Sequence, residues 1–265
     1  MKFAPKNKNL FLFLFLNFIL LLFFIPVNAS EMRDNSPPEN QENITLPADT
    51  QNGQDNNNNI NPSGKYIALT FDDGPHPGTT DQLLDGLRQR NIRATFFLIG
   101  EEAADNRELV AQIKADGHQI GNHTWSHAGL NTLSDSEILR EIGDTDALLQ
   151  SLVGPGEYWL RPPYGFLRPD SENLIKTPVI TWSVDPRDWE SRDADKIFQA
   201  VTQSIKPGDI VLLHDIYAPS VDAALRIIDA LSQQNYEFVT VSELLSLYQI
   251  QPQAGVKYRG AFVES

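Results

Sequence analysis

From Lys65 onward, short apolar runs alternate with stretches of helical periodicity, and that alternation leaves few folds open. The expected strands are Tyr66 to Phe71, Ala94 to Ile99, His118 to Asn122, Tyr158 to Arg161, Pro178 to Val184, Asp209 to His214 and Glu237 to Thr240. Helices are expected at Asp81 to Arg90, Arg107 to Asp116, Asp135 to Leu152, Ala194 to Ile205, Val221 to Gln234 and Ser242 to Tyr248. The third of these is the best marked: Ser134 and Glu137 form a capping box, Ile138, Ile142, Leu149 and Leu152 recur on one face, and Gly154 closes its end. Strands that alternate with helices in this way are buried on both faces in a parallel sheet. The pattern therefore predicts an α/β fold, a single-domain, TIM-like (β/α)7 barrel over residues 64–250, with Gln251 to Ser265 as a loose tail.

The segment before the barrel has a different character. Lys2, Lys6 and Lys8 precede an apolar run, Leu10 to Ile25, that only Asn17 interrupts, and Val27-Asn28-Ala29 follows with small residues at the two positions a signal peptidase reads. This predicts a signal peptide over 1–29 cleaved after Ala29, with an uncleaved anchor as the alternative; the run is short for a membrane span. Residues 30–63 are rich in Asn, Gln, Asp, Glu and Pro and almost free of large apolar side chains, which predicts a disordered spacer. An exported chain without cysteine has no disulfide to staple it, so its core must be large enough to hold by itself. The formal net charge of -14 excludes nucleic acid or an anionic membrane surface as the principal partner; a neutral polymer suits it better.

In a β/α barrel the chemistry is built at the C-terminal ends of the strands, and the unusual polar residues of this chain fall there. Asp72 and Asp73 follow the first run, His123 and His127 the third, Arg161 and Tyr164 the fourth, Asp188 and Trp189 the fifth, and His214 and Asp215 the sixth. Adjacent carboxylates repel unless a cation or a shared proton compensates, so Asp72-Asp73 reads as a metal or acid/base site rather than a polar turn. His123 and His127 stand four apart, a spacing that one helical turn would bring to the same side. With Asp73 they make two imidazoles and one carboxylate, a ligand set that suits Zn²⁺ or another divalent transition ion. Asp72 is then left to take a proton from water. Arg161 is expected to reach Asp72 bidentately from the rigid Arg161-Pro162-Pro163-Tyr164-Gly165 loop, whose Tyr164 N–H is placed to serve an oxyanion. His214 is the candidate acid, with either Asp188 or Asp185 as its carboxylate partner. Trp125, Trp189 and Tyr164 are aromatic residues expected near the mouth of the crevice; His76 and His118 have no assigned role, although His76 lies close enough to touch substrate.

Taken in order, Thr70-Phe71-Asp72-Asp73-Gly74-Pro75, His123-Thr124-x-x-His127, Arg161-Pro162-Pro163-Tyr164-Gly165, Asp188-Trp189 and Leu212-x-His214 resemble the five motifs of the carbohydrate esterase family 4 polysaccharide deacetylases, the NodB-homology domain. The resemblance extends over about Gly64 to Tyr248. It implies a distorted (β/α)7 barrel and metal-dependent hydrolysis of N-acetyl groups on chitin or peptidoglycan, or of O-acetyl groups on xylan. It also implies Asp72 as general base, Asp73, His123 and His127 as metal ligands, His214 as general acid, and Arg161 orienting Asp72. Asp188 would support His214, the Tyr164 amide would serve the oxyanion, and Leu212 and Trp189 would line the acetyl pocket. The expected cofactor is Zn²⁺, with Co²⁺ or Ni²⁺ as alternatives. The expected partner is an acetylated polysaccharide, peptidoglycan before chitin, met by a secreted, periplasmic or envelope protein with no stable membrane insertion after signal cleavage. An O-acetyl esterase acting on xylan and a non-catalytic glycan-binding module are the competing expectations.

Overall fold

The structure, a computed structural model, describes residues 63–262. The expected signal or anchor and nearly all of the spacer lie outside the described residues. Among the described residues no helix is long and apolar enough to cross a membrane.

The strands are β1 (Lys65–Asp72), β2 (Thr95–Leu98), β3 (Gln119–Asn122), β4 (Val179–Ile180), β5 (Ile210–His214), β6 (Tyr236–Phe238) and β7 (Lys257–Tyr258). The α-helices are α1 (Thr80–Gln89), α2 (Gly100–Asp105), α3 (Arg107–Ala115), α4 (Asp135–Val153), α5 (Asp188–Ser191), α6 (Ala194–Ser204), α7 (Ala218–Ser232) and α8 (Val241–Leu247). All the strand pairings among β1 to β7 are parallel, as right-handed strand–helix–strand crossovers require. β1 sits at the centre with β2 and β5 beside it, and β3 lies beyond β2.

Past β3 the ring of strands closes through single bridges: Asn122 with Leu160, Leu160 with Val179, and Val184 with Val211 of β5. The fold is thus the expected α/β barrel in distorted form. The strand expected at Tyr158 to Arg161 shrinks to the one bridge at Leu160, and the one expected over Pro178 to Val184 shrinks to β4 and the bridge at Val184. Sequence and side-chain chemistry account for the loss. Pro162 and Pro163 bring no amide donors, while the Arg161 guanidinium donates to the Ile180 and Thr181 carbonyls that a longer ladder would use.

Two further departures concern elements with little periodic signal. Helix α2, six residues long, was not expected. The C-terminal segment is not a loose tail: β7 pairs with β4, Gly260 bridges Asp209, and Ala261 is buried. The best-marked helix forms as expected, since Ser134 and Glu137 close the capping box of α4 and Gly154 stands after its last turn with φ 89°.

The largest apolar cluster packs the inner strands against the surrounding helices: Leu69 and Phe71 of β1 and Phe96 of β2 meet Leu83 and Leu87 of α1, Ile113 of α3 and Ile227 of α7. Because this core carries the strand that ends in Asp72, its loss is expected to loosen the site as well as the fold. Leu69 is fully buried. Leu69→Ala is expected to cost about 2–5 kcal/mol of unfolding free energy, read from denaturant titration, as a large-to-small change in a packed core.

Candidate active site

β1 and β5 run side by side in a register that sets Asp72 opposite His214, so two strand ends deliver their polar residues to one place. The chain then turns through Asp73 at φ 72°, a left-handed conformation that carries its side chain away from the direction Asp72 takes. Gly74 follows for a steric reason: a Cβ there would lie 2.5 Å from the carboxylate oxygens of Asp215.

Asp73, His123 and His127 offer one ligand atom each, and these atoms lie within 4.8 Å of one another. Asp73 Oδ1 is 3.4 Å from His123 Nε2 and 3.3 Å from His127 Nε2. The same Oδ1 is buried without a hydrogen-bond partner, an expensive condition for a carboxylate oxygen unless a cation meets it. His123 Nδ1 lies 2.7 Å from the Arg161 carbonyl, which can only accept, so Nδ1 carries the proton and Nε2 is left bare toward Asp73. Burial and the neighbouring His123 hold the His127 imidazole below its ordinary pKa, toward the neutral form a metal requires. Burial opposes the Asp73 carboxylate, but the imidazoles that surround it, His123 first and then His214 and His127, hold it below its ordinary value. By donor type, spacing and unsatisfied oxygen, the trio fits a divalent transition ion.

The two histidines are not joined by a helical turn. Thr124 and His127 take left-handed conformations, φ 69° and 58°, and fold the 123–127 loop back so that the two rings lie 5.0 Å apart. Loop geometry here supplies what the four-residue spacing suggested a helix would.

Arg161 is fully buried beneath Asp72. Its Nη1 donates to Asp72 Oδ1 at 2.7 Å and to Thr70 Oγ1 at 2.7 Å, and its guanidinium lies 4.0 Å from the Phe97 ring centre. The contact with Asp72 is through one nitrogen rather than the expected bidentate pair, because Nε and Nη2 are directed to the Ile180 and Thr181 carbonyls. Asp72 Oδ2 remains turned toward the site, 3.7 Å from His123 Nε2.

Of the two carboxylates considered for His214, Asp188 makes the contact. Its Oδ1 lies 2.8 Å from His214 Nδ1, and its Oδ2 accepts from the His214 N–H and from Ser220 Oγ. Asp185 instead accepts from the Arg187 N–H. Burial works against a charged imidazole, but the hydrogen bond and charge of Asp188, joined by Asp72 and Asp73, raise His214 to about 9. A carboxylate can only accept from Nδ1–H, so Nε2 is the atom His214 presents to the site, 3.9 Å from Asp73 Oδ2.

These groups face a cavity of about 400 Å³. Tyr164, Trp189 and Leu212 line it as expected, and Trp182, which carries no motif of its own, completes the apolar wall. The 163–165 segment is a single tight turn with Tyr164 at φ 61°, and the Tyr164 ring stands edge-on to His127 at 4.9 Å. Trp125 is not among the lining residues; it packs over Gly100 of α2, where a Cβ would lie 2.6 Å from its ring. Asp215, expected at the sixth strand end but given no role, is fully buried, is pushed up to about 7 by burial, and is hydrogen-bonded to Thr80. Thr70, Ser220 and Thr80 support the ionisable groups from behind and have no signal beyond their type. A Thr two places before a carboxylate is too common to single out by itself.

Comparison with known proteins finds relatives of this chain. Residues 59–177 match the family model described as polysaccharide deacetylase. The chain is 38% identical over 217 residues to peptidoglycan-N-acetylmuramic acid deacetylase PdaC of Bacillus subtilis; the match takes in 82% of this chain but 44% of PdaC, so the chain spans less than half of that relative's length. It is 41% identical to a peptidoglycan-N-acetylglucosamine deacetylase of Bacillus cereus, covering 68% of this chain and 88% of that one. Among solved structures, a family 4 acetyl xylan esterase from Clostridium thermocellum in complex with a cobalt ion superposes with a TM-score of 0.71 at 32% identity, covering 75% of this chain and 100% of the other.

Proposed function

The chain belongs to the polysaccharide deacetylase family, carbohydrate esterase family 4, and from that premise we propose that it is a metal-dependent hydrolase that removes N-acetyl groups from N-acetylglucosamine residues of a polysaccharide, peptidoglycan first, and releases acetate. The observation that carries this reading is the pairing of a cation-ready trio, Asp73, His123 and His127, with two proton-transfer groups held on separate supports. A binding module has no need of a base fixed by a buried arginine or of an opposing acid fixed by a buried carboxylate.

Asp73, His123 and His127 would hold the ion, with Zn²⁺ the best match to two imidazoles and a carboxylate and with Co²⁺ or Ni²⁺ as alternatives. When bound, the ion supplies positive charge for the developing oxyanion and lowers the pKa of a water. Asp72 takes the proton from the attacking water; Arg161 holds one of its oxygens, so the other is the one free to act. The acetyl methyl group is proposed to sit against Trp189 and Leu212, with Trp182 closing the wall and excluding water. The Tyr164 N–H donates to the carbonyl oxygen as it gains charge. His214 then protonates the departing nitrogen from Nε2, while Asp188 holds Nδ1. Acetate and a free sugar amine result.

Peptidoglycan ranks first because relatives at 38–41% identity carry that substrate in their names. An envelope or extracellular location follows from a cell-wall substrate. The acetyl xylan esterase neighbour supports a second reading, an O-acetyl esterase built from the same groups. Acetate release separates them. N-acetylated glycan strands are expected to be turned over well and acetylated xylan poorly; the reverse order would reassign the enzyme to ester chemistry.

The support for His214 has its own test. Asp188→Asn removes the charge that raises the imidazole, so His214 loses its proton at lower pH. A group that must be protonated sets the alkaline limb of the rate profile. The alkaline limb of kcat/KM is therefore expected to move toward acid by at least one pH unit, with kcat lowered about 10-fold or more; an unmoved limb would remove Asp188 from this role.

A further inference from the structure

Asp215 stands just past the end of β5, beside His214, and takes no part in the steps above although it is fully buried. Its Oδ1 has no hydrogen-bond partner among the described residues. A carboxyl kept in such a place costs the fold stability, and an apolar side chain of similar size would fill the space at less cost. Groups retained against the interest of stability mark places where geometry serves function.

The Asp215 carboxyl lies where two chain ends meet. The parallel ladder between β1 and β5 runs as far as Asp72 opposite His214, and both chains then leave the sheet. On the β1 side Asp73 turns at φ 72°, and Gly74 brings its backbone against the Asp215 carboxyl, so close that a Cβ would lie 2.5 Å from both oxygens. From another direction Thr80 Oγ1 donates to Asp215 Oδ2 at 2.5 Å, and the same hydroxyl oxygen accepts from the His76 N–H at 2.8 Å. Thr80 is buried and opens α1. Asp215 therefore touches both ends of the 74–80 segment that joins β1 to α1.

The consequence for the site follows from sequence order. Gly74 is the residue after Asp73, and Asp215 is the residue after His214. The candidate ligand and the candidate acid are thus each one residue from the contact between Gly74 and Asp215, and His214 Nε2 stands 3.9 Å from Asp73 Oδ2. Asp188 orients the His214 ring from the side of α5, through Nδ1 and the backbone N–H. That contact does not set how far the ring stands from the turn that carries Asp73.

We propose that Asp215 is a positioning residue: its carboxyl, seated on Gly74 and hydrogen-bonded to Thr80, sets the distance between the ligand Asp73 and the acid His214. The inference rests on the deacetylase reading above and adds to it the part that spaces the ion from the acid. The glycine after Asp73 is then a matched piece of the same device, since any side chain there would push the two strand ends apart.

The test measures three quantities: acetate release from N-acetylglucosamine oligomers, metal content of the Zn²⁺-loaded protein, and the denaturant midpoint of the metal-free protein. Asp215→Ala is expected to keep KM and metal content within about 2-fold of wild type and to lose about 10- to 100-fold in kcat, as an acid out of place by about an ångström would. Asp215→Asn keeps a planar group over Gly74 and an acceptor for Thr80, and is expected to stay within about 3-fold of wild-type kcat. Gly74→Ala is expected to lower both kcat and the midpoint, and to lower them less when combined with Asp215→Ala, because the added methyl group then finds room. Thr80→Val cuts the hydrogen bond to the same carboxyl and is expected to lower kcat about 3- to 10-fold; it decides the matter should Asp215→Ala not fold.

Wild-type kcat in Asp215→Ala, or in Thr80→Val where that variant decides, overturns the proposal. Metal lost in step with kcat overturns it too, because Asp215 would then serve the ligand set rather than the spacing. So does a midpoint penalty for Gly74→Ala that is the same with and without the Asp215 carboxyl. Absence of acetate from the wild-type protein with its metal bound contradicts the deacetylase reading itself, and the midpoints of the metal-free variants still report whether Gly74 and Asp215 are coupled.

Discussion

Asp72→Asn is expected to lose about 10²- to 10⁴-fold in acetate release while the protein folds and keeps its metal. The change keeps the shape of the side chain and its acceptor oxygen, so the contact with Arg161 Nη1 at 2.7 Å can persist in weakened form. What it removes is the ability to take a proton, and general-base catalysis is worth about 10²–10⁴, or roughly 3–5.5 kcal/mol of activation free energy. Because Asp72 is not one of the three ligand residues, metal content measured on the purified variant is expected to stay at the wild-type level. That separation is the sharp part of the prediction. A variant that lost activity and metal together would put Asp72 in the ligand set, and one that kept its rate would leave the base unassigned.

The second large effect concerns the candidate ligands themselves. His123→Ala removes one of three donor atoms and also the Nδ1–H that satisfies the Arg161 carbonyl at 2.7 Å. Metal affinity is expected to fall by at least 10²-fold, and acetate release with it. Added metal should restore part of the rate only at concentrations well above those that saturate wild-type protein. His127→Ala is expected to lose metal similarly but to disturb the fold less, since His127 is only half-buried and makes no comparable backbone contact. Equal loss of metal in both, with a larger fall in unfolding free energy for His123→Ala, is the expected pattern. Full metal occupancy in either variant would remove that histidine from the site.

Most of the site was legible because its members lie in short segments at strand ends, where adjacent residues share a destination. Asp72-Asp73, His123 with His127, and His214 could be placed on one rim once the strand and helix alternation had suggested a barrel. The choice between Asp185 and Asp188 could not be made from spacing, since both follow the same strand; it is settled by the chain entering α5 at Asp188, three residues after Asp185, where the Asp188 carboxylate meets His214. The means of bringing His123 and His127 together was also hidden, because left-handed backbone at Thr124 and His127 leaves no mark on residue type. Trp182 was missed, and Asp215 was placed at a strand end without a role, for another reason: their importance comes from what the fold packs beside them, the cavity wall and Gly74.

Fold elements followed the same rule. Helix α4, nineteen residues long with a capping box, was evident. Strands β4 and β7, two residues each, are too short to show a period of two, and the segment around Leu160 exchanges its ladder for the hydrogen bonds of Arg161. The distortion of the barrel and the setting of its buried arginine are therefore one feature. The wall that lost its strand is the wall that holds Asp72 in place.

The central claim, that one ion held by Asp73, His123 and His127 makes this cleft a deacetylase, is tested most directly by measuring acetate released from peptidoglycan glycan strands by the purified protein before chelation, after exhaustive chelation and after Zn²⁺ is returned. The account predicts release that falls to background with the metal and returns with it. Acetate release that survives removal of every measurable metal ion would contradict it.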